Sequence, residues 1–436
     1  MPSFCRRVLS NVRRRPIPSV LILTWLAGFG WATYKGGQHL RNRYHFRTAQ
    51  RALEDRDFNA AGAHLAICLQ IEPDSAQAHF LAARTARRAG DLGAAEEHLF
   101  LCQKLNKVTD DTALEWALLR AQSGHLIDVQ GYLQQHIRED SPDSLLILEV
   151  LSWEYMWALR LAEARLVLDL WLKNRPDDFE ALVRRGWVAE RLSDQDTAQA
   201  VYARAVALRP ESDSIRLRLA EIILVKEPKE ALEHLHYLRQ RQPDNRDVAL
   251  VLARCQRQLG EFEEARQLLD DLLAKQSRNP GALSERGLLA LETKDWCRSE
   301  KLLREAVAQD PHDLQINYNL YLCLERLGKK EQAQEYLTKI NEIKADLKRV
   351  SNLVHDVMVK PHDPSLRHEV GMIFLRIGYT EEGLRWLGTA LKEDPGYRPT
   401  HQALAEYYER ASRKDLAAPH RQFLQQTETK TPSSSR

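Results

Sequence analysis

The chain has 436 residues, 28% of them charged, and a formal net charge of +2. So even a balance points away from a large acidic partner such as nucleic acid. Six cysteines, none in a CxxC pair, argue against a disulfide framework in a chain of this length and read as buried thiols. Residues 1–15 form a basic tail with Arg6, Arg7, Arg13, Arg14 and Arg15. The run from Ile17 to Tyr34, IPSVLILTWLAGFGWATY, carries no charge. As a helix it extends about 27 Å, close to the hydrocarbon thickness of a bilayer. One transmembrane helix over residues 16–35 is therefore expected, with membrane contact through 17–34. The alternative is a cleaved signal peptide, for which Gly30-Trp31-Ala32 is a poor site; cleavage would leave a secreted or periplasmic soluble adaptor. Lys35, Arg41, Arg43, Arg47 and Arg51 follow the run, but Arg13 to Arg15 lie closer to its boundary. That favours an amino terminus inside and the rest of the chain exported. Thr24, Gly28 and Ala32 recur every four residues and offer the span a small-residue face for self-association.

Between about residues 42 and 428 a small residue returns roughly every 34 positions. The series runs Ala61, Ala95, Val129, Ala164, Ala198, Ala231, Ala265, Ser299 and Ala333, then after a longer step Gly383 and Ala417. A leucine stands four residues beyond most of them, as at Leu65, Leu99, Leu168, Leu235, Leu269 and Leu303. Prolines such as Pro73, Pro176, Pro210, Pro243, Pro311 and Pro395 close the units. Gly90, Gly124, Gly260, Gly328 and Gly378 sit mid-unit, where a left-handed helix cap is cheap only for glycine. The unit is helix, tight turn, helix, proline. One such pair cannot bury its apolar face alone, so the units must stack, with the small residues letting backbones approach and the leucines supplying bulk.

This pattern resembles the tetratricopeptide repeat family. Its best match runs from Phe179 to Pro210, with Gly186 in the first helix and Ala198, Tyr202 and Ala205 in the second. Residues 280–311 follow with Gly287 and Ala306, and 364–395 with Gly371 and Ala390. The resemblance implies an all-α fold: a right-handed superhelical solenoid of about eleven helix-turn-helix repeats over 42–428, preceded by the transmembrane helix. It also implies a concave groove, lined by the first helix of each pair, that binds a partner protein or peptide. The third unit departs most, with Val129 at the small position, and the sixth carries Pro228 in its turn. The step from Ala333 to Gly383 is too long for one repeat, and apolar periodicity persists through Ile340, Ile343, Leu347, Val350 and Leu353. An extended helix over about 330–360 is expected, either packed along its length or protruding as an arm. Residues 429–436 read as a disordered tail.

No phosphate loop, nucleophile elbow or metal-ligand spacing is present, so neither catalysis, a cofactor nor a metal is expected. His355, His362 and His368 straddle a proline turn, and helical ligand geometry does not join them. On the groove positions that the resemblance implies, Trp153 falls beside Trp187 and Trp157 beside Arg191, with Met156 and Glu190 adjacent and Arg254 and Arg257 further along. Arg84, Arg87, Arg88, Tyr318 and Arg326 take similar places. Tryptophan and arginine are enriched in binding hot spots. The expectation is a membrane-anchored interaction scaffold; a nucleic-acid binder is the weaker alternative, against which the balanced charge speaks.

Overall fold

The computed structural model describes residues 16–105, 109–137 and 142–428, and between 16 and 32 it describes the backbone with only the Trp25 and Phe29 side chains. The basic tail 1–15 and the carboxyl tail 429–436 lie outside the described residues. The first helix, Pro16–Glu54, runs unbroken for 39 residues from the uncharged run into the first repeat. Among the described residues no helix is long and apolar enough to cross a membrane, and most side chains of the run 17–34 lie outside them. Described secondary structure is otherwise a succession of helix pairs.

Local chemistry explains the pairs. Asp57, Asp91, Asp178, Asp194, Asp295 and Asp313 each stand before a helix and accept the N–H three residues on, satisfying one orphan donor of the first turn. In every pair but the sixth, where Leu224 keeps a helical φ of −49° ahead of Pro228, the turn uses a left-handed residue. Gly90, Gly124, Gly260, Gly328 and Gly378 supply it, and Arg56, Leu159, Ser193, Lys294 and Ser412 adopt the same positive φ in repeats that lack the glycine. The closing prolines are tied to the helix that follows. His79, Arg216, Asn317, Arg367 and His401 each donate to the carbonyl of the proline six residues earlier.

The small positions are where the helices cross. Ala61, Ala95, Ala164, Ala198, Ala231, Ala265, Ser299 and Ala333 are fully buried, whereas Val129 in the irregular third repeat is only half-buried. At Gly186 a methyl group would lie 2.4 Å from Cε1 of Tyr202, so only glycine lets that ring cross the first helix. Cys68, Cys102, Cys255 and Cys323 are free and buried, and burial pushes all four thiols above their ordinary pKa.

The chain separates into two compact units, Met1–Arg138 and Glu139–Arg436. The first holds three repeats. Its core is built on Ala49, Leu65, Ala82, Ala83, Ala95, Leu99 and Leu119. The second unit holds the other eight and returns on itself. Its helix Lys330–Val359 has the extended length expected, but it is packed, not an arm: Ile340, Ile343, Val350, Leu353 and Val357 are buried. Val350, Leu353 and Val357 join Val370, Ile373, Ile377 and Trp386 of the tenth repeat around Leu159, in the turn of the fourth. The tenth repeat is thereby seated on the fourth and fifth.

Candidate partner-binding site

Trp153, Met156 and Trp157 lie on the helix Pro142–Trp157 at spacings of three and four, hence on one face. Glu180, Val183, Arg184 and Trp187 repeat that spacing on the helix Phe179–Arg191. The two faces meet over a cavity of about 330 Å³, and its remaining wall is Arg385, from the helix Thr380–Glu393 of the tenth repeat. Trp153 and Trp157 are each 48% exposed at its mouth, while Met156 is buried beneath them.

The cations around the cavity are not equivalent. Arg184 donates to the Glu149 carbonyl at 2.7 Å and to Ser152 Oγ at 2.9 Å, and lies 5.5 Å from the ring centres of both Trp153 and Trp171. It is held in place. Arg385 lies 5.7 Å from the Trp157 ring and reaches Glu382 only at 3.9 Å; Lys392 approaches the same ring at 5.8 Å. Below the site Glu154 is nearly buried, and that burial pushes its carboxyl up to about 7, with Lys392 opposing. Beside the pocket, at the seam with the tenth repeat, a second cavity of about 370 Å³ is bounded by Leu159, Val350, Phe374 and Trp386 and by the Arg191–Glu382 ion pair.

The structure brings Trp153, Met156, Trp157 and Trp187 together around one cavity. It sends the other candidates elsewhere. Arg191 stacks on Trp187 at 4.8 Å and pairs with Glu382 at 2.7 Å, so it belongs to the seam. Glu190 accepts from the Tyr202 hydroxyl at 2.8 Å and from Arg218, which ties the fifth repeat to the sixth. Arg254 and Arg257 both bind Glu285 of the next repeat, at 2.8 and 3.1 Å, and Arg257 also binds Glu292 at 2.6 Å. Arg84 and Arg87 do the same with the buried Glu115. Burial pushes that carboxyl up, but the two guanidiniums outweigh it and hold Glu115 below its ordinary value. These arginines fasten one repeat to the next. Spacing could have revealed it, because Arg84-x-x-Arg87 and Arg254-x-x-Arg257 are each followed about 30 residues later by a glutamate, Glu115 and Glu285. The reading missed Glu180, Val183 and Arg184, which continue the face of Trp187, and Arg385, for which no local signal exists.

His362 pairs with Glu393 at 2.8 Å and His368 with Thr400 at 3.0 Å, while His355 borders the seam cavity. These histidines do not converge, and among the described residues no group of His, Cys, Asp and Glu could hold a metal ion.

Comparison with known proteins places the repeat. Two models described as tetratricopeptide repeat match residues 180–212 and, in two segments, 223–284 and 290–355. Cellulose synthase operon protein C of Komagataeibacter xylinus is 33% identical over 102 residues, 23% of this chain and 8% of that protein. A DnaJ protein of Oryza sativa subsp. japonica is 26% identical over 246 residues, 51% of each chain. The chain thus spans at most about half the length of these two relatives. Among solved structures, the type IV pilus biogenesis factor PilW aligns with 46% of this chain and 94% of its own, at 19% identity and a TM-score of 0.39. A tetratricopeptide repeat protein from Parabacteroides merdae aligns with 65% and 99%, at 16% identity and a TM-score of 0.35. Residues 180–212, 223–284 and 290–355 are thus identified as tetratricopeptide repeats.

Proposed function

We propose that this chain is a membrane-anchored scaffold whose repeat solenoid holds a partner protein or peptide at the pocket between its fourth and fifth repeats. The observation that carries the reading is the pair Trp153 and Trp157, left half exposed over a cavity of about 330 Å³. Covering one indole in such a contact is worth about 2 kcal/mol or more, roughly thirtyfold in affinity. Anchoring rests on the uncharged run 17–34 and its arginine flank. The unbroken helix Pro16–Glu54 would carry the chain from the bilayer into the first repeat without a linker. An inside amino terminus with an exported solenoid is the orientation that Arg13 to Arg15 favour, and the face of Thr24, Gly28 and Ala32 would serve self-association.

Two measurements on the full chain in its own membranes test this. A photo-crosslinker at position 157 should capture a protein, lose it on Trp153→Ala, and capture none from position 266 on a second helix. Equal capture from both positions would remove the pocket. Carbonate extraction should leave the intact chain in the pellet, whereas a soluble product starting near Thr33 would mean a cleaved signal and a soluble adaptor.

A further inference from the structure

We infer that the pocket is a composite that recognises an apolar side chain next to a carboxylate, and that it is complete only while the tenth repeat is seated on the fourth and fifth. The inference rests on the reading of the pocket as the partner site and adds to it the ligand's chemistry and a linkage to closure.

Recognition of acid follows from how the charges are arranged. Apart from its charged residues the lining is apolar, made by Trp153 and Trp157 at the mouth and by Met156, Val183 and Trp187. Arg184 is already bound to the Glu149 carbonyl and Ser152, so it adds shape more than charge. Arg385 and Lys392 both lie within 6 Å of the Trp157 ring, and among the described residues Arg385 has no carboxylate nearer than Glu382 at 3.9 Å. Among the described residues Glu180 is the one carboxylate lining the cavity. A ligand that inserts a leucine or phenylalanine and presents an aspartate or glutamate beside it would complement this rim; one flanked by lysine would meet two cations over one indole.

Linkage follows from where Arg385 comes from. It is about 200 residues from the other lining residues and reaches the cavity through the seam. Besides Arg385 and Lys392 over Trp157, the seam is held by the Arg191–Glu382 pair, the apolar cluster of Trp386 with Leu159 and Val350, and Arg367. The last is fully buried and donates both to the carbonyl of Ala158, at the end of the fourth repeat's first helix, and to that of Pro361. If the seam opens, Arg385 and Lys392 leave together and the pocket loses a wall and its charge. A ligand that touches Arg385 therefore binds the closed form better, and by reciprocity it must favour closure.

The test uses the full chain in detergent and two fluorescein-labelled octapeptides with a central leucine, one flanked by aspartates and one by lysines. Closure is read by hydrogen exchange of residues 350–357 and 370–377. The aspartate peptide should bind at least tenfold tighter than the lysine peptide and slow exchange at the seam. Arg191→Glu or Glu382→Arg alone should speed that exchange and weaken the aspartate peptide by about fivefold, and the double reversal should restore both. Arg385→Ala should cut the preference for aspartate severalfold, Lys392 keeping the remainder, while the apolar cluster and the Arg191–Glu382 pair hold seam exchange within about twofold of the wild type. If the seam variants open the seam and peptide binding holds, the composite is refuted. If neither peptide binds the wild-type chain, or both bind alike, the ligand class is refuted. If Trp153→Ala with Trp157→Ala leaves tight aspartate-peptide binding intact, the pocket is not the partner site at all.

Discussion

Arg191 donates from Nη1 to Oε1 of Glu382 at 2.7 Å, joining the first helix of the fifth repeat to the second helix of the tenth. The arginine is about one-third exposed, so the bridge itself is worth at most about 1 kcal/mol. Trp386, only 3% exposed in the same seam, carries far more apolar surface. Glu382→Ala should therefore cost less than about 1 kcal/mol in urea unfolding, and Trp386→Ala about 3–5 kcal/mol. Equal losses would mean that the ion pair contributes as much to closure as the apolar cluster does.

Crowding within a helix pair is expected to be punished wherever backbones touch. Ala198 is fully buried, and Ala198→Leu should cost roughly 1–3 kcal/mol by overpacking. Gly186→Ala should cost a similar amount, because its methyl group would stand 2.4 Å from Tyr202. Gln195 is exposed in the same helix as Ala198, and Gln195→Leu should change stability by less than about 0.5 kcal/mol. Thermal melts that ranked the three alike would contradict this register.

Glu154 makes the second unit sensitive to alkali. Burial raises its folded pKa to about 7, so the fold prefers the protonated acid. Stability from this group is whole below its unfolded value and is lost as pH rises through about 7. Glu154→Gln, which keeps the neutral shape, should match the wild type near pH 4.5 and exceed it by roughly 1–3 kcal/mol above pH 8. Urea midpoints across that range decide it; parallel curves would mean that Glu154 is ionised at little cost.

Paired histidines work in the opposite direction. His79 Nε2 donates to the Pro73 carbonyl at 2.9 Å, which leaves its Nδ1 as an acceptor, so His98 must donate from Nδ1 across 3.0 Å. His401 and His420 repeat the arrangement at 2.9 Å, with the Pro395 carbonyl as acceptor. Burial, then the charge of the partner ring, pushes His98 and His420 below the ordinary histidine value, and Glu97 opposes this at His98. The fold thus prefers the neutral rings; their contribution is whole above the unfolded value and lost as pH falls through the lowered one. One extra proton still leaves a single hydrogen in the bridge, but a second sets two donors face to face. The fifth repeat has Leu182 and Val201 at these places. The double variant His79→Leu with His98→Val should therefore lose less stability than the wild type between pH 7 and pH 5. An unchanged acid limb would assign that loss to other groups.

Much of this architecture is local and so was readable in the sequence. Asp178 before Phe179, the glycine turns, the seam at Ala198 and the ring of Tyr202 over Gly186 all act within one repeat, through contacts that a period of 34 residues exposes. Trp153 and Trp187 could be set side by side because neighbouring repeats keep register. The histidine pairs were legible too, in the 19-residue spacing of His79 and His98 and of His401 and His420, although neither pair stands out among fifteen histidines. Charge was harder to read. Arg254 and Arg257 have the composition of a binding surface, and only their geometry against Glu285 shows that the charge is spent between repeats. Closure of the second unit was beyond any local reading. Nothing near Leu159 in the sequence announces Val350 and Trp386, and the periodicity of the helix Lys330–Val359 fits an arm as well as a packed strut. A small rotation accumulates at every repeat, so whether the tenth repeat meets the fourth depends on the sum of many crossing angles. The sequence alone determined the helix pairs and the seams on which they cross; only the tertiary structure decided which distant faces those rotations brought together, and with them the wall that Arg385 adds to the pocket.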